Sequence, residues 1–279
     1  MLNRRSVRIS IIAFCACITL SACVSQHRVA NAVIDATRRH EPLPLPRLID
    51  ESLTIAGAYR IQKRVAQARL DGAQPGGFKA GLTSPQSQAR FGTNEPVAGV
   101  LPPDGLLQPD ATIRLSELRG LNIETEVALR IGTPIRAHVK DVAELKRHID
   151  GVAPAIELPD LHYVSTAQPA ALDIIATNVA AAAYIVGDFR SPATRDPNDA
   201  APRLVCNGKE LNSGLARDAL GDQWEAARWL VNTMLQQGWP IETGQILLTG
   251  ALGRMIPAAA GDCSADYGTW GTIGFHVVQ

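Results

Sequence analysis

Glu124 and Glu126 stand one residue apart in an otherwise apolar run, Ile123-Glu124-Thr125-Glu126-Val127-Ala128-Leu129. Alternation of this kind reads as a strand, and side chains two residues apart on a strand emerge on one face, so both carboxylates share that face. Ionised carboxylates side by side repel. A partly buried pair is tolerable only with a cation, a shared proton or basic partners. A hard divalent ion, Mg²⁺ or Mn²⁺, is the simplest such partner because it prefers oxygen ligands. The competing reading puts both glutamates on the solvated face of an edge strand, with Ile123, Thr125 and Val127 turned inward. An E-x-E spacing alone leaves both readings open.

The elements that must position this pair follow from periodicity. Apolar residues at Ile55, Ala58, Tyr59, Ile61, Val65 and Ala66 predict an amphipathic helix over 52–70, broken by Asp71-Gly72. A short strand over 78–83 runs into Ser84-Pro85, then a helix over 86–91 and the loop 92–99. Several strands are expected between 100 and 131, punctuated by Pro102-Pro103, Pro109 and Gly120, then a helix over 139–150 and a strand over 152–158. The small-residue segment 174–187 is ambiguous by periodicity, and Pro192 and Pro197 mark 188–202 as a surface loop. Asn207-Gly208 is the strongest hairpin signal. A helix over 224–237, stopped by Gly238 and Pro240, and strands over 245–249 and 272–278 complete the chain. The expected fold class is a mixed, strand-rich α/β (α+β) domain of about 230 residues with an N-terminal helical portion.

The N-terminus is a separate matter. Arg4, Arg5 and Arg8 precede an apolar run over 9–20, the layout of a secretory signal and too short to span a bilayer once mature. Leu20-Ser21-Ala22-Cys23 resembles the lipobox of bacterial lipoproteins, which implies cleavage before Cys23, lipidation of its thiol and attachment to the cell envelope. Val24 after that cysteine favours the periplasmic face of the outer membrane. The expected organisation is a signal peptide over 1–22, a polar then Pro-rich tether over 23–47 containing a short helix near 29–39, and a catalytic domain over 48–279. Removing 1–22 takes away three arginines and no acids, leaving 24 basic against 27 acidic residues. Nothing in this balance points to nucleic acid. Cys206 and Cys263 are the cysteines left for the folded domain, either paired or as buried thiols.

Beyond residue 52 the order of motifs resembles the fumarylacetoacetate hydrolase superfamily, in the branch of 2-keto-4-pentenoate hydratases and 4-oxalocrotonate decarboxylases. The residues that carry the resemblance are Gly77-Phe78-Lys79-Ala80-Gly81-Leu82-Thr83-Ser84, Phe91-Gly92-Thr93-Asn94-Glu95-Pro96 and Glu124-Thr125-Glu126. Pro154-Ala155-Ile156-Glu157, Asn207-Gly208-Lys209-Glu210, Leu247-Leu248-Thr249-Gly250-Ala251-Leu252 and Gly261-Asp262 follow in the same order. The resemblance implies a rolled mixed β-sheet with helices packed outside and a homo-oligomer. It also implies a third metal ligand, Glu157, joining Glu124 and Glu126 around Mg²⁺ or Mn²⁺, and a small 2-oxo acid as substrate. Lys79 takes the place of the family's lysine, an acid/base whose pKa is expected to fall through burial beside a metal. Thr249, Gly250 and Ala251 match the segment that lines the substrate carboxylate.

The sequence departs from that pattern in two places. Where hydratases of this type carry an acid after the proline of a Q-P-D-F-G segment, Glu95-Pro96-Val97-Ala98-Gly99 has Val97, a pattern closer to the decarboxylases. The family's A-D-N-A-S segment reads Ala176-Thr177-Asn178-Val179-Ala180, without its Asp and Ser. Asp104 and Asp160 lie near motif segments as candidate substitutes, and Asp173 is a candidate helix cap or supporting acid. His138, His148 and His162 have no partner spacing and are not read as ligands. The leading expectation is a metal-dependent hydratase of a short 2-oxo or 2-hydroxy-dienoic acid, with 2-oxo-enedioate decarboxylation and a non-catalytic envelope binding protein as rivals.

Overall fold

The computed structural model describes residues 24–165 and 167–279. The expected signal segment and Cys23 lie outside the described residues. In chain order the helices are α1 (24–38), α2 (Pro46–Ile49), α3 (Ile55–Leu70), α4 (Pro85–Phe91), α5 (Val142–Lys146), α6 (Ala171–Ala176) and α7 (Gln223–Gln236). The strands are β1 (Gly77–Gly81), β2 (Val97–Leu101), β3 (Leu106–Leu107), β4 (Thr112–Arg114), β5 (Asn122–Ile131), β6 (Ile149–Leu158) and β7 (Ala183–Val186). They continue with β8 (Arg203–Cys206), β9 (Lys209–Ser213), β10 (Ile246–Leu248), β11 (Ile256–Pro257), β12 (Gly261–Asp266) and β13 (Thr272–Val278).

Two mixed sheets result. The larger runs β2-β1-β10-β5-β6-β7-β3, with β11 paired to β5, and the smaller runs β4-β13-β12-β8-β9. β1 lies parallel to β10, which is antiparallel to β5, and β5 is antiparallel to β6. Period-two alternation decides what each face does. Ile123, Val127, Leu129 and Ile131 of β5 enter the main core with Val152 and Ile156 of β6. The opposite face carries small residues, with Ala128, Ala153 and Ala155 packed with Leu101, Tyr184, Ile246 and Leu248. Glu124, Glu126 and Glu157 share that second parity.

Local chemistry explains the helix ends. The Thr54 hydroxyl accepts from Gly57 N–H to start α3, and Asp71 closes it in the left-handed region at φ 46°. Ser84 caps α4, with Pro85 in its first turn and Gly92 at its end. Asp222 caps α7, which buries Trp224, Ala227, Leu230, Val231 and Met234. Asn207 and Gly208 both take positive φ, 51° and 75°, and form the expected hairpin between β8 and β9.

Three expectations need revision. The segment 23–47 does not behave as a tether over its described part: 24–38 is helical, its Val29, Ala30 and Val33 are buried in the main core, and Leu43 N–H donates to His162 O at 2.7 Å. Polarity misled there because only one face of α1 is apolar. The helix expected over 139–150 is the single turn and a half of α5, because Asp141 caps it late and Ile149 is already paired with Ile131 in the sheet. The strand β12 was not anticipated, since Gly261 and Asp262 masked its alternation. It pairs with β8 so that Cys263 faces Cys206, and the two form a disulfide. Among the described residues no helix is long and apolar enough to cross a membrane.

Candidate active site

Strand register brings the carboxylates together. Glu124 lies directly opposite Glu157 across the β5–β6 ladder, and Glu126 opposite Ala155. The three glutamates have carboxylate oxygens all within 4.8 Å of one another. Lys79 reaches the same place from β1. Its register line runs through Leu248 of β10, Ala128 of β5 and Ala153 of β6, so it stands on the same face as the glutamates. Because β10 ends at Leu248, no strand covers the space beside Glu126. Lys79 Nζ sits 2.6 Å from Glu157 Oε1 and donates to Val179 O at 3.2 Å.

The cluster is buried at one end and open at the other. Glu126, Glu157 and Lys79 are almost inaccessible, whereas Glu124 borders a cavity of about 240 Å³. Glu126 Oε2 accepts from Gly250 N–H at 2.8 Å, but Glu126 Oε1 and Glu157 Oε2 have no hydrogen-bond partner among the described residues. Orphaned, converging, all-oxygen donors are the set a hard divalent ion requires, so these residues fit Mg²⁺ or Mn²⁺. The solvated-edge reading of Glu124 and Glu126 is excluded, since Glu126 is fully buried, Glu124 is partly buried, and β5 lies between β6 on one side and β10 with the 249–252 loop on the other.

Electrostatics follow from this crowding. Burial pushes the Glu124 carboxyl up to about 7, although Lys79 pulls it down, and Glu157 adds to the rise. Burial and then the charges of Glu157 and Glu124 hold Glu126 well above the carboxylate range. Burial opposes the Lys79 ammonium, but Glu157, Glu124 and Glu126 together outweigh it and hold Lys79 above its ordinary value. The sequence reading expected a fall. The sign reverses because three carboxylates face one ammonium, and a divalent cation among them would work in the opposite direction.

Of the segment 249–251, Ala251 lines the cavity. Thr249 is buried with its hydroxyl committed to Val127 O and to the Gln223 side chain, and Gly250 N–H is spent on Glu126. Gly250 adopts φ 111°, and a Cβ there would lie 2.5 Å from Thr83, so glycine is required where this loop meets the turn between β1 and α4. Asp104 and Asp160 do not border this cavity and instead line a separate one of about 530 Å³. Asp104 lies 3.7 Å from Arg69, and Asp160 accepts from Gly120 N–H at 2.7 Å. Asp173 does cap α6, accepting from Ala170 N–H, and it also holds Arg47 at 2.8 Å. The histidines join no cluster.

Two features escaped the sequence reading. The Tyr267 hydroxyl accepts from Glu126 N–H and donates to Ala155 O, clamping β5 to β6 beside the carboxylate cluster, and burial raises its pKa. No local pattern marks a tyrosine acting across 141 positions. The second is the wall over 177–180. Asn178, Val179 and Ala180 all take positive φ, at 60°, 53° and 55°. The Asn178 side chain accepts from Val100 N–H and donates to Val100 O, both at 2.8 Å, replacing a strand at the free edge of β2. Gly81 permits the close approach, since a Cβ there would meet Val179 Cγ1 at 2.7 Å.

Residues 77–277 match the fumarylacetoacetate (FAA) hydrolase C-terminal family. The chain is 30% identical over 238 residues to the TodF product hydratase of Pseudomonas putida F1, covering 84% of this chain and 88% of that one. It is 29% identical over 258 residues to the 2-oxo-hept-4-ene-1,7-dioate hydratase of Escherichia coli, covering 90% and 97%. The fold is shared with 4-oxalocrotonate decarboxylase from Pseudomonas putida G7, whose structure holds magnesium and adipate, at a TM-score of 0.84 with 21% identity over 90% of this chain and 96% of that one. With its carboxylate triad and lysine set on the matched strands, the chain belongs to the fumarylacetoacetate hydrolase family, in the branch of hydratases and decarboxylases.

Proposed function

We propose that the protein is a divalent-metal-dependent hydro-lyase that adds water to a short 2-oxo or 2-hydroxy-dienoic acid, of which 2-keto-4-pentenoate is the simplest form. The observation that carries this reading is the convergence of Glu124, Glu126 and Glu157 with Lys79 at the closed end of a small cavity. The three glutamates would hold Mg²⁺ or Mn²⁺. When bound, such an ion supplies positive charge for the 2-oxo and carboxylate oxygens and for the negative charge that develops during proton transfer.

The chain's own groups do the rest. Lys79 Nζ, held between Glu157 and Val179 O, carries the mobile proton. Leu82, Phe91, Leu161 and Ile174 surround the carbon chain and keep bulk water from it. In net terms one water adds across a C=C bond, its hydrogen to one carbon and its hydroxyl to the next. The test is turnover of 2-hydroxypenta-2,4-dienoate by the folded domain with Mn²⁺. Water-adduct formation lost in Lys79→Ala supports the reading, and no turnover by metal-loaded protein overturns it.

Decarboxylation of a 2-oxo-enedioate is the second reading. It is favoured by Val97, buried in β2 where the hydratase pattern has an acid, and by Glu124 being the one acidic side chain that borders the cavity among the described residues. Release of CO₂ from 2-oxohex-3-enedioate would select it. We also propose a lipid-anchored protein on the periplasmic face of the outer membrane. The Leu20-Ser21-Ala22-Cys23 pattern supports it, and the Cys206–Cys263 disulfide agrees with an oxidising compartment. Cys23→Ala should move the protein from the membrane to the soluble fraction. The homo-oligomer implied by the family resemblance belongs to the same reading and is checked by light scattering.

A further inference from the structure

The cavity above the carboxylates has a second charged feature. Arg90, from the last turn of α4, and Arg254, from the loop between β10 and β11, both border it, on two different walls. Both are exposed, and neither has an ion-pair partner among the described residues. Arg90 lies 5.3 Å from the centroid of the Phe91 ring, and among the described residues the Arg254 guanidinium makes one long contact, 3.4 Å, to Leu211 O. Two free guanidiniums thus border a cavity whose one acidic lining residue, Glu124, belongs to the metal end.

Charge balance turns this into a statement about substrate. Three carboxylates, the Lys79 ammonium and a divalent ion sum to zero, so the metal end is neutral before substrate arrives. A substrate with one carboxylate would leave the arginines uncompensated. One with a second carboxylate at its far end would meet them, and guanidinium is the side chain best shaped to hold carboxylate through paired hydrogen bonds. The cavity is smaller than the roughly 300–1,000 Å³ of drug-sized pockets, which suits a short chain with charge at both ends.

We propose that Arg90 and Arg254 form a subsite for a distal carboxylate, so that this site prefers a dicarboxylic 2-oxo acid to the monocarboxylic acid of the same length. This rests on the metal-dependent 2-oxo acid chemistry proposed above but is independent of whether water is added or CO₂ lost.

The test compares 2-oxoadipate with 2-oxohexanoate, which have the same chain length and differ only in the distal carboxylate, by calorimetric titration of the Mn²⁺-loaded full domain. The wild type should bind 2-oxoadipate about tenfold or more tightly, with the advantage shrinking as salt rises. The advantage should disappear in an Arg90→Ala/Arg254→Ala variant, return in part with Arg254→Lys, and leave 2-oxohexanoate affinity and Mn²⁺ binding unchanged. Equal affinity for the two acids in the wild type overturns the proposal, as does an advantage that survives in the double variant. Failure of the chemistry is read separately. If neither 2-hydroxypenta-2,4-dienoate nor 2-oxohex-3-enedioate turns over, the proposed function falls while the binding comparison still decides the subsite.

Discussion

The floor and the wall of the site are built by opposite means. The floor is regular: Glu124, Glu126 and Glu157 sit in ten-residue strands whose ladder places them without any unusual backbone angle. Their strain is electrostatic, three carboxylates gathered in a buried place. The wall over 177–180 carries its strain in the backbone, with three consecutive left-handed residues of which only the asparagine tolerates that region well. Conformations of this kind cost of order 1–3 kcal/mol each and persist only where surrounding contacts enforce them. Lys79 joins the two, with Glu157 on one side and Val179 O on the other. A site so made would relax in two different ways, the floor by taking up a cation and the wall by releasing its turn.

The largest expected effect separates these at once. Glu126→Gln and Glu157→Gln should each abolish Mn²⁺ binding, read by paramagnetic resonance, and lower kcat by about a thousandfold. Lys79→Ala should lower kcat by about 10²–10⁴-fold while Mn²⁺ still binds. If Lys79→Ala lost metal as well, the lysine would belong to the floor's structure and not to its chemistry.

These two regions also differ in how far the sequence discloses them. The pair Glu124 and Glu126 was legible because a strand's two-residue period makes neighbours of residues two apart, and Lys79 and Glu157 followed from the family pattern. The wall was not legible: Ala176-Thr177-Asn178-Val179-Ala180 has no glycine and no turn signature, and it bends because Asn178 finds Val100 and Gly81 leaves room for Val179. Those contacts are set by tertiary approach, which local propensity does not encode. The same holds for α1, whose single apolar face shows only once α3 and the core are present, and for Tyr267, whose hydroxyl meets β5 and β6 from far along the chain.

Asn178→Ala should sharpen the contrast. It strips two hydrogen bonds from Val100 and leaves a buried N–H and C=O unpaired, costing about 1–3 kcal/mol each in unfolding free energy. Mn²⁺ affinity should stay within about twofold, because no glutamate moves, while kcat falls about tenfold as Val179 O shifts from Lys79. Asn178→Asp, which keeps the acceptor for Val100 N–H and loses the donor to Val100 O, should fall between wild type and alanine in denaturant unfolding. Loss of metal affinity in either variant would show that wall and floor are one unit.

The smallest effect concerns the floor without its ion. Burial raises Glu124 to about 7 from an ordinary 4.5, so between these values the folded protein holds a proton that the unfolded chain has released. Where the folded state binds more protons, stability falls as pH rises. In EDTA, then, the contribution of Glu124 is fully present below about pH 4.5 and is lost as pH climbs through 7. Glu126, also raised by burial and by the charges of Glu157 and Glu124, contributes a trend of the same sign. Lys79, whose raised value stabilises the fold until the ammonium itself deprotonates, adds no slope in this window. With saturating Mn²⁺ the carboxylates are ionised on the metal, so the slope should flatten, and metal binding should release protons measurable in buffers of different ionisation enthalpy. Urea unfolding from pH 4.5 to 7.5, with and without Mn²⁺, makes the check. Parallel curves would mean that the carboxylates are not the residues that hold the ion, whereas curves that diverge with rising pH locate the electrostatic strain on the floor and its relief in the cation.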